Sequence, residues 1–214
     1  MMKLKRSTIM YNLRKNNYHQ NPKSSTIYTP KEVSEFIFQL LKDKFTQGSL
    51  IFDPCCGKGN LLEPWQQNHY PIEGMDIERS SPLYSVQDFL TWDGIDTCLL
   101  KKINPVVHKT KPQLVLCNPP FNGMKPKLAP EIWLDKIIEL FGKDTPIVLF
   151  VPIGFRLNLT RNSSRWKKLN NGDYPTISSI ISLPKDCFKP VLFHSEILIF
   201  NIKGLQPHYW LRVV

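Results

Sequence analysis

An α/β fold around a mostly parallel sheet is the architecture that this sequence of 214 residues predicts. Three observations carry the expectation. Short apolar runs recur along the chain, at 50–52, 72–75, 114–117, 147–151, 177–183 and 196–202. Segments with helical spacing separate several of them, and such alternation favours a parallel sheet with helices on its faces. The length, with 42% hydrophobic and 21% charged residues, suits one globular domain with an ample core.

The first 25 residues carry Lys3, Lys5, Arg6, Arg14, Lys15 and Lys23 and no acidic residue. A basic arm that orders on a phosphate backbone and a solvated terminus without function are equal readings of it. Residues 26–214 read as a single domain. Thr29-Pro30-Lys31-Glu32 opens its first helix, with Thr29 as N-cap, Pro30 at the first helical position and Glu32 as the capping-box acid. Val33, Phe36, Ile37, Leu40 and Leu41 follow at helical spacing, and Gly48 ends the segment. A second helix is expected from Leu61, a third over 131–141 and a fourth over 161–169.

Composition excludes several classes. No stretch approaches the roughly 20 apolar residues that cross a bilayer. The N-terminus lacks the apolar core of a secretory signal, so a cytoplasmic location without membrane contact is expected. Cys55, Cys56, Cys98, Cys117 and Cys187 form an odd set without C-x-x-C spacing, which speaks against a disulfide framework and against a metal site. The formal charge of +10 favours a polyanionic partner.

Ligands of open α/β sheets bind beyond the carboxyl ends of the strands, and the unusual residues of this sequence fall there. After Leu50–Phe52 comes Asp53-Pro54-Cys55-Cys56-Gly57-Lys58-Gly59-Asn60. Its two glycines allow a tight turn and close approach of a ligand, while Asp53 suits a cationic group such as an amine. Neither a P-loop nor the full dinucleotide fingerprint is present. Asp76 ends the next run about 20 residues on, where a carboxylate can accept both hydroxyls of a ribose. In Val86-Gln87-Asp88-Phe89-Leu90, Asp88 suits an adenine amino group and Phe89 the face of the ring. The clearest signal is Leu114 to Cys117 running into Asn118-Pro119-Pro120-Phe121. The prolines fix φ and supply no N–H. The Asn118 amide and the Pro119 carbonyl can therefore both accept from one planar NH2, freeing its nitrogen lone pair for an electrophile. A late loop carries Leu183-Pro184-Lys185-Asp186-Cys187-Phe188, and Phe193-His194 follow. His194 is not needed as a base by this chemistry.

In their order, Tyr28-Thr29-Pro30, Asp53 to Asn60 and Asn118 to Phe121 resemble the S-adenosylmethionine-dependent DNA adenine-N6 methyltransferases. The likeness is to the gamma arrangement, and especially to the modification subunits of type I restriction systems. It covers roughly residues 26 to 203. The resemblance implies a Rossmann-like class I methyltransferase fold with a mostly parallel seven-stranded sheet. It implies methyl transfer from S-adenosylmethionine to the N6 amino group of an adenine flipped out of DNA. Tyr28, Thr29 and Pro30 would lie near the methionine end of the cofactor. Asp53, Gly57 and Gly59 would form its floor, Asp76 would hold the ribose and Asp88 with Phe89 the adenine, with Pro54 and Ile77 also among the cofactor-binding residues. Asn118, Pro119, Pro120 and Phe121 would be the catalytic set, with Asn118 also beside the cofactor. Phe121 and Phe188 would stack on the two faces of the target base, with Phe193 as the alternative to Phe188. Families of this kind carry a target-recognition domain or work with a separate specificity subunit. No such domain is expected within 26–214, so sequence choice points to the basic arm, short loops or another protein. Lys58 and the Cys55-Cys56 pair depart from the small residues usual in the cofactor turn.

Two other readings keep the fold. One is methylation of an RNA base or, less in keeping with the basic excess, of a protein glutamine. The other is a nucleic-acid-binding partner subunit without turnover. Arg161, Arg165, Lys167 and Lys168 form a candidate phosphate-contacting face, and a solvated basic helix reads equally well.

Overall fold

The computed structural model describes residues 27–78, 81–93, 111–121, 127–188 and 192–212. The basic arm expected over 1–25 lies outside the described residues. Five helices are described: α1 (Lys31–Leu41), α2 (Glu63–Gln67), α3 (Ala129–Phe141), α4 (Gly154–Leu157) and α5 (Ser164–Asn171). The strands are β1 (Ile51–Asp53), β2 (Ile72–Asp76), β3 (Ser85–Val86), β4 (Leu114–Cys117), β5 (Ile147–Pro152), β6 (Ile177–Ser182), β7 (Ser195–Phe200) and β8 (His208–Trp210).

They form one sheet in the order β3-β2-β1-β4-β5-β7-β6-β8. The five strands from β3 to β5 run parallel, and β7 is antiparallel to both of its neighbours. Seven strands were expected and eight are described. The additional one, β8, pairs parallel with β6 at the edge. β3 and β8 span two and three residues, too short for a hydrophobic period to show.

Register decides what reaches each face. Along β4, Leu114 and Leu116 enter one core with Val33, Ile37 and Trp65 from α1 and α2. Val115 and Cys117 point the other way, into a core with Phe52, Trp133 and Ile137. A parallel strand covered on both faces buries every residue, and all four of these are inaccessible. α1 presents Val33, Ser34, Ile37, Phe38 and Leu41 to the first core. Its start differs from expectation. Pro30, in extended conformation (ψ 147°), is the N-cap residue, and no side chain caps the helix. Thr29 lies one residue outside, and its hydroxyl serves the active-site region described below.

The basic segment near α5 is likewise reassigned. Arg165 reaches Glu131 of α3 at 3.0 Å and donates to the Phe155 carbonyl at 3.0 Å. Lys168 bonds Asp135 at 2.7 Å and lies over the Tyr174 ring. Burial works against the charge of Asp135. Hydrogen bonds from Lys168, Lys127 and Tyr174 outweigh it and hold the carboxyl below its usual range. Arg165 and Lys168 therefore clamp α5 to α3 and are not free for phosphates, whereas Arg161 and Lys167 are exposed. Pairing with buried acids on another element is invisible to a count of charges.

Arg165→Ala strands the Glu131 carboxylate in a dry site and should lower unfolding free energy by about 3 kcal/mol. Arg161→Ala and Lys167→Ala should change it by less than about 0.5 kcal/mol. Urea denaturation of the three variants checks the contrast.

Candidate active site

The strand order reverses beside β1: the chain runs from β1 outward to β2 and β3, then returns to place β4 on the other side of β1. Such a switch point opens a crevice at the carboxyl ends of the strands. Ile51 lies level with both Ile72 and Leu114, so the three strands point their carboxyl ends to one edge, with Asp76 and Asn118 two residues beyond Asp53. Asp53, Asp76 and Asn118 therefore meet at one edge.

Asp53 is 1% exposed. Its Oδ1 accepts from the Cys55 N–H at 3.0 Å, and no described Lys or Arg pairs with it. Burial, reinforced by the nearby Asp76 charge, overrides that hydrogen bond and pushes the carboxyl up to about 7. A carboxylate in this state favours an incoming cation. Asp76 organises the turn: its Oδ2 accepts from the Gly57 N–H at 2.8 Å and its Oδ1 from the Glu78 N–H at 3.1 Å. Each oxygen keeps a second lone pair for a ligand hydroxyl. Ile77, immediately after, is 68% exposed and offers an apolar surface beside the acid.

Gly57 and Gly59 adopt φ of +51° and +87°, the left-handed region that side chains avoid. A Cβ on Gly57 would press on the Tyr28 ring at 3.0 Å, and one on Gly59 would run into the Tyr84 hydroxyl. Tyr28 thus lies over the turn, with Lys58 Nζ 4.7 Å from its ring centroid. Tyr84 backs the turn from the other side. No sequence signal marked Tyr84, which acts only through this packing.

Asn118 leaves β4 next to buried Pro119, with Pro120 exposed and Phe121 half-buried. Its Nδ2 donates to Thr29 Oγ1 at 2.9 Å. Thr29 is itself held, its carbonyl accepting from Asn60 Nδ2 at 2.6 Å. The sequence placed Asn60 in the turn but gave it no role. A cleft of about 500 Å3 adjoins this group. It shares Tyr28, Thr29, Pro30 and Asn60 with the site but is not lined by Asp53 or Asp76, so it flanks the acids without containing them.

Three expectations change. The Phe89 ring is 1% exposed and packs on Phe52 and Trp92 (centroids 6.1 and 6.2 Å), so it is core and does not face a ligand. Asp88 is exposed and caps its own turn, accepting from the Leu90 N–H at 2.9 Å. Phe188 is 3% exposed, packed on Phe150. Phe193, the alternative, lies between it and Phe121: stacked on Phe188 at 5.4 Å and 13°, and edge-on to Phe121 at 5.2 Å and 89°. The Phe193 N–H donates to the Lys185 carbonyl, which folds that ring back over the Leu183–Phe188 loop.

Cys55 Sγ and Cys117 Sγ approach to 3.7 Å across the crevice, and burial pushes both thiols up, leaving them unreactive packing groups. Among the described residues, no cluster of His, Cys, Asp and Glu could hold a metal, and no helix is long and apolar enough to cross a membrane.

This sheet order, glycine turn and acid at the second strand end are those of the class I methyltransferase fold. A model of the N-6 DNA Methylase family matches residues 9–73. No curated protein matches the sequence. Among solved structures, the chain is similar to the modification subunit assigned to a type I restriction enzyme of Vibrio vulnificus YJ016. There the TM-score is 0.61 at 18% identity, over 88% of this chain and 46% of that one. It is also similar to the methyltransferase subunit of a type I restriction-modification system from Streptococcus thermophilus. That match has a TM-score of 0.58 and 20% identity, over 88% and 48% of the two chains. A wider relative in shape is magnesium protoporphyrin IX methyltransferase from Synechocystis PCC 6803, solved with bound SAM. Its TM-score is 0.52 at 15% identity, over 79% and 77%. The chain thus resembles type I modification subunits and spans less than half the length of the two named here.

The buried acid gives a pH signature. Its folded value near 7 lies above the ordinary 3.8, so the folded state holds an extra proton between those limits. The contribution of Asp53 to stability is full below about pH 4 and is lost as pH rises through 7. Asp53→Asn should therefore gain on wild type by a margin that grows from pH 5 and levels off above about pH 7, reaching about 4 kcal/mol. Urea midpoints of the pair across that range measure it; a constant margin would contradict the assignment.

Proposed function

We propose that the protein transfers a methyl group from S-adenosylmethionine to the N6 amino group of an adenine turned out of DNA. The observation that carries this is Asn118-Pro119 just past the end of β4, two residues beyond the level of Asp53 on the neighbouring strand. When bound, S-adenosylmethionine supplies a methyl group on a positively charged sulfur, already strongly electrophilic.

The residues suit that ligand. Asp53, buried and without a described cation partner, would take its ammonium group and return to full ionisation. Asp76 would accept from the ribose hydroxyls, and Ile77 would cover part of the adenine. The left-handed Gly57 and Gly59 let the backbone turn tightly with the Tyr28 and Tyr84 rings closed upon it. Tyr28, Thr29 and Pro30 border the same turn. The sequence assigned adenine contacts to Asp88 and Phe89; of these only the Asp88 carboxylate, already accepting from Leu90, faces outward.

The chain's part in the reaction is alignment. Asn118 Oδ1 and the Pro119 carbonyl accept the two protons of the target amine, drawing its lone pair out of conjugation and toward the methyl carbon. The N–C bond forms as the C–S bond breaks, and the amine sheds its extra proton to solvent. Correct placement alone accounts for about 7–11 kcal/mol in well-oriented systems. Phe121, with Phe193 beside it, offers an aromatic surface to replace stacking lost when a base leaves the duplex. Among the residues first considered for phosphate contacts, Arg161 and Lys167 keep that role. Contacts to phosphates position a duplex without reading it, and a separate specificity subunit is the partner proposed to read the sequence.

Asn118→Ala should lower methyl transfer at least 100-fold while leaving cofactor affinity within about threefold. Labelled S-adenosylmethionine with plasmid DNA, RNA and protein as parallel acceptors provides the assay. Label confined to N6 of DNA adenine supports the proposal. Label in RNA or glutamine, or equal turnover by Asn118→Ala, overturns it.

A further inference from the structure

We propose that Thr29 is a positioning residue that sets the orientation of the Asn118 amide through an Asn60–Thr29–Asn118 brace. The inference rests on the reading of Asn118 above and assigns a function to a residue known from the sequence only as a neighbour of the cofactor.

A primary amide presents an acceptor and a donor on opposite sides of one carbon, and the two are nearly equal in shape. Rotated by half a turn, Asn118 would offer its NH2 to the incoming amine, and two donors would meet. Productive catalysis therefore needs one of two almost isosteric states to be favoured. The hydrogen bond from Asn118 Nδ2 to Thr29 Oγ1, at 2.9 Å, ties the amide to a fixed residue in the state that leaves Oδ1 for the substrate.

Thr29 is fitted for this by its own immobility. It is 6% exposed. Its carbonyl is tied to Asn60 Nδ2 at 2.6 Å, and the following Pro30 has its φ fixed at −62°. Its branched Cβ restricts χ1, so the hydroxyl has few other places to go. Asn60 directly follows Gly59 in the glycine turn. The brace therefore links the cofactor turn to the catalytic tetrapeptide through two side-chain amides and one residue between them. It also explains why Thr29 stands outside α1 and does not cap it: its hydroxyl is engaged 89 residues away.

The test compares Thr29→Val, which keeps shape and loses the hydroxyl, with Thr29→Ser, which keeps the hydroxyl. Methyl transfer by Thr29→Val should fall on the order of 10–100-fold in kcat. The fall in kcat should clearly exceed any loss of affinity for S-adenosylhomocysteine, measured by calorimetry, and Thr29→Ser should restore most of the rate. A second readout needs no turnover. In 15N-labelled protein, the Asn118 side-chain NH2 signal, identified by its loss in Asn118→Ala, should exchange slowly with solvent in wild type and Thr29→Ser. In Thr29→Val that protection should be lost; Thr29→Ala carries the same comparison should the valine variant not fold. Equal kcat in the Val and Ser variants, a loss of affinity in step with kcat, or unchanged exchange would overturn the brace. A wild type that transfers no methyl but protects this amide would overturn the methyltransferase reading and leave the brace standing.

Discussion

Everything at the site depends on the parallel register of β1 between β2 and β4. Because Ile51 is level with both Ile72 and Leu114, three chain segments far apart in sequence leave the sheet at one edge, within two residues of the same height. That register brings the Asp76 charge near Asp53, which is sealed from water. A desolvated carboxylate with a like charge nearby is an unfavourable arrangement for an isolated protein. It becomes favourable when a cation enters. The sheet thus holds an electrostatic deficit where a positively charged ligand would relieve it, and hydrophobic burial on both faces of β4 and β5 maintains the geometry.

The same constraint explains the paired aromatics around the glycine turn. A backbone that opens toward a ligand loses the side chains that would normally stiffen it. Here the Asp76 carboxylate grips the Gly57 N–H, Tyr28 covers one side and Tyr84 the other. Lys58 over Tyr28 lies on this rim, which accounts for a long basic residue where a small one is usual: its head sits over a ring, outside the floor.

Residues whose chemistry is local and tied to a strand end were legible in the sequence. Asp53, Gly57, Gly59, Asp76 and Asn118 needed only an apolar run before them and a special backbone or polar demand after it. The parallel core and most helices followed from periodicity in the same way. Residues whose role is decided by a distant partner were not legible. Phe89 lies beside the site in sequence but is drawn into the core by Phe52 and Trp92. Arg165 and Lys168 carry the charge expected of a phosphate face, but Glu131 and Asp135 claim them. Thr29 satisfied the local rules of an N-cap so well that its bond to Asn118 could not be foreseen. Tyr84 and β8 left no trace, since neither packing against glycine nor a three-residue edge strand alters a periodic pattern.

Why such a site can work without a strong base follows from the balance of these contacts. An exocyclic amine is a poor nucleophile because its lone pair is shared with the ring. Two acceptors held in fixed positions localise that pair without removing a proton beforehand. His194 is exposed, and the geometry gives it no part in this. What the site must provide is orientation, and each orienting element is a modest hydrogen bond worth roughly 1 kcal/mol on its own. The effect becomes large only when the elements are mutually fixed, because a misplaced acceptor contributes almost nothing. Proline at 119 fixes one acceptor through the backbone. The other lies on a side chain that can rotate, so it is the one that requires support from outside its own loop. On the proposed alignment mechanism, that asymmetry would assign the support to the threonine between the cofactor turn and Asn118.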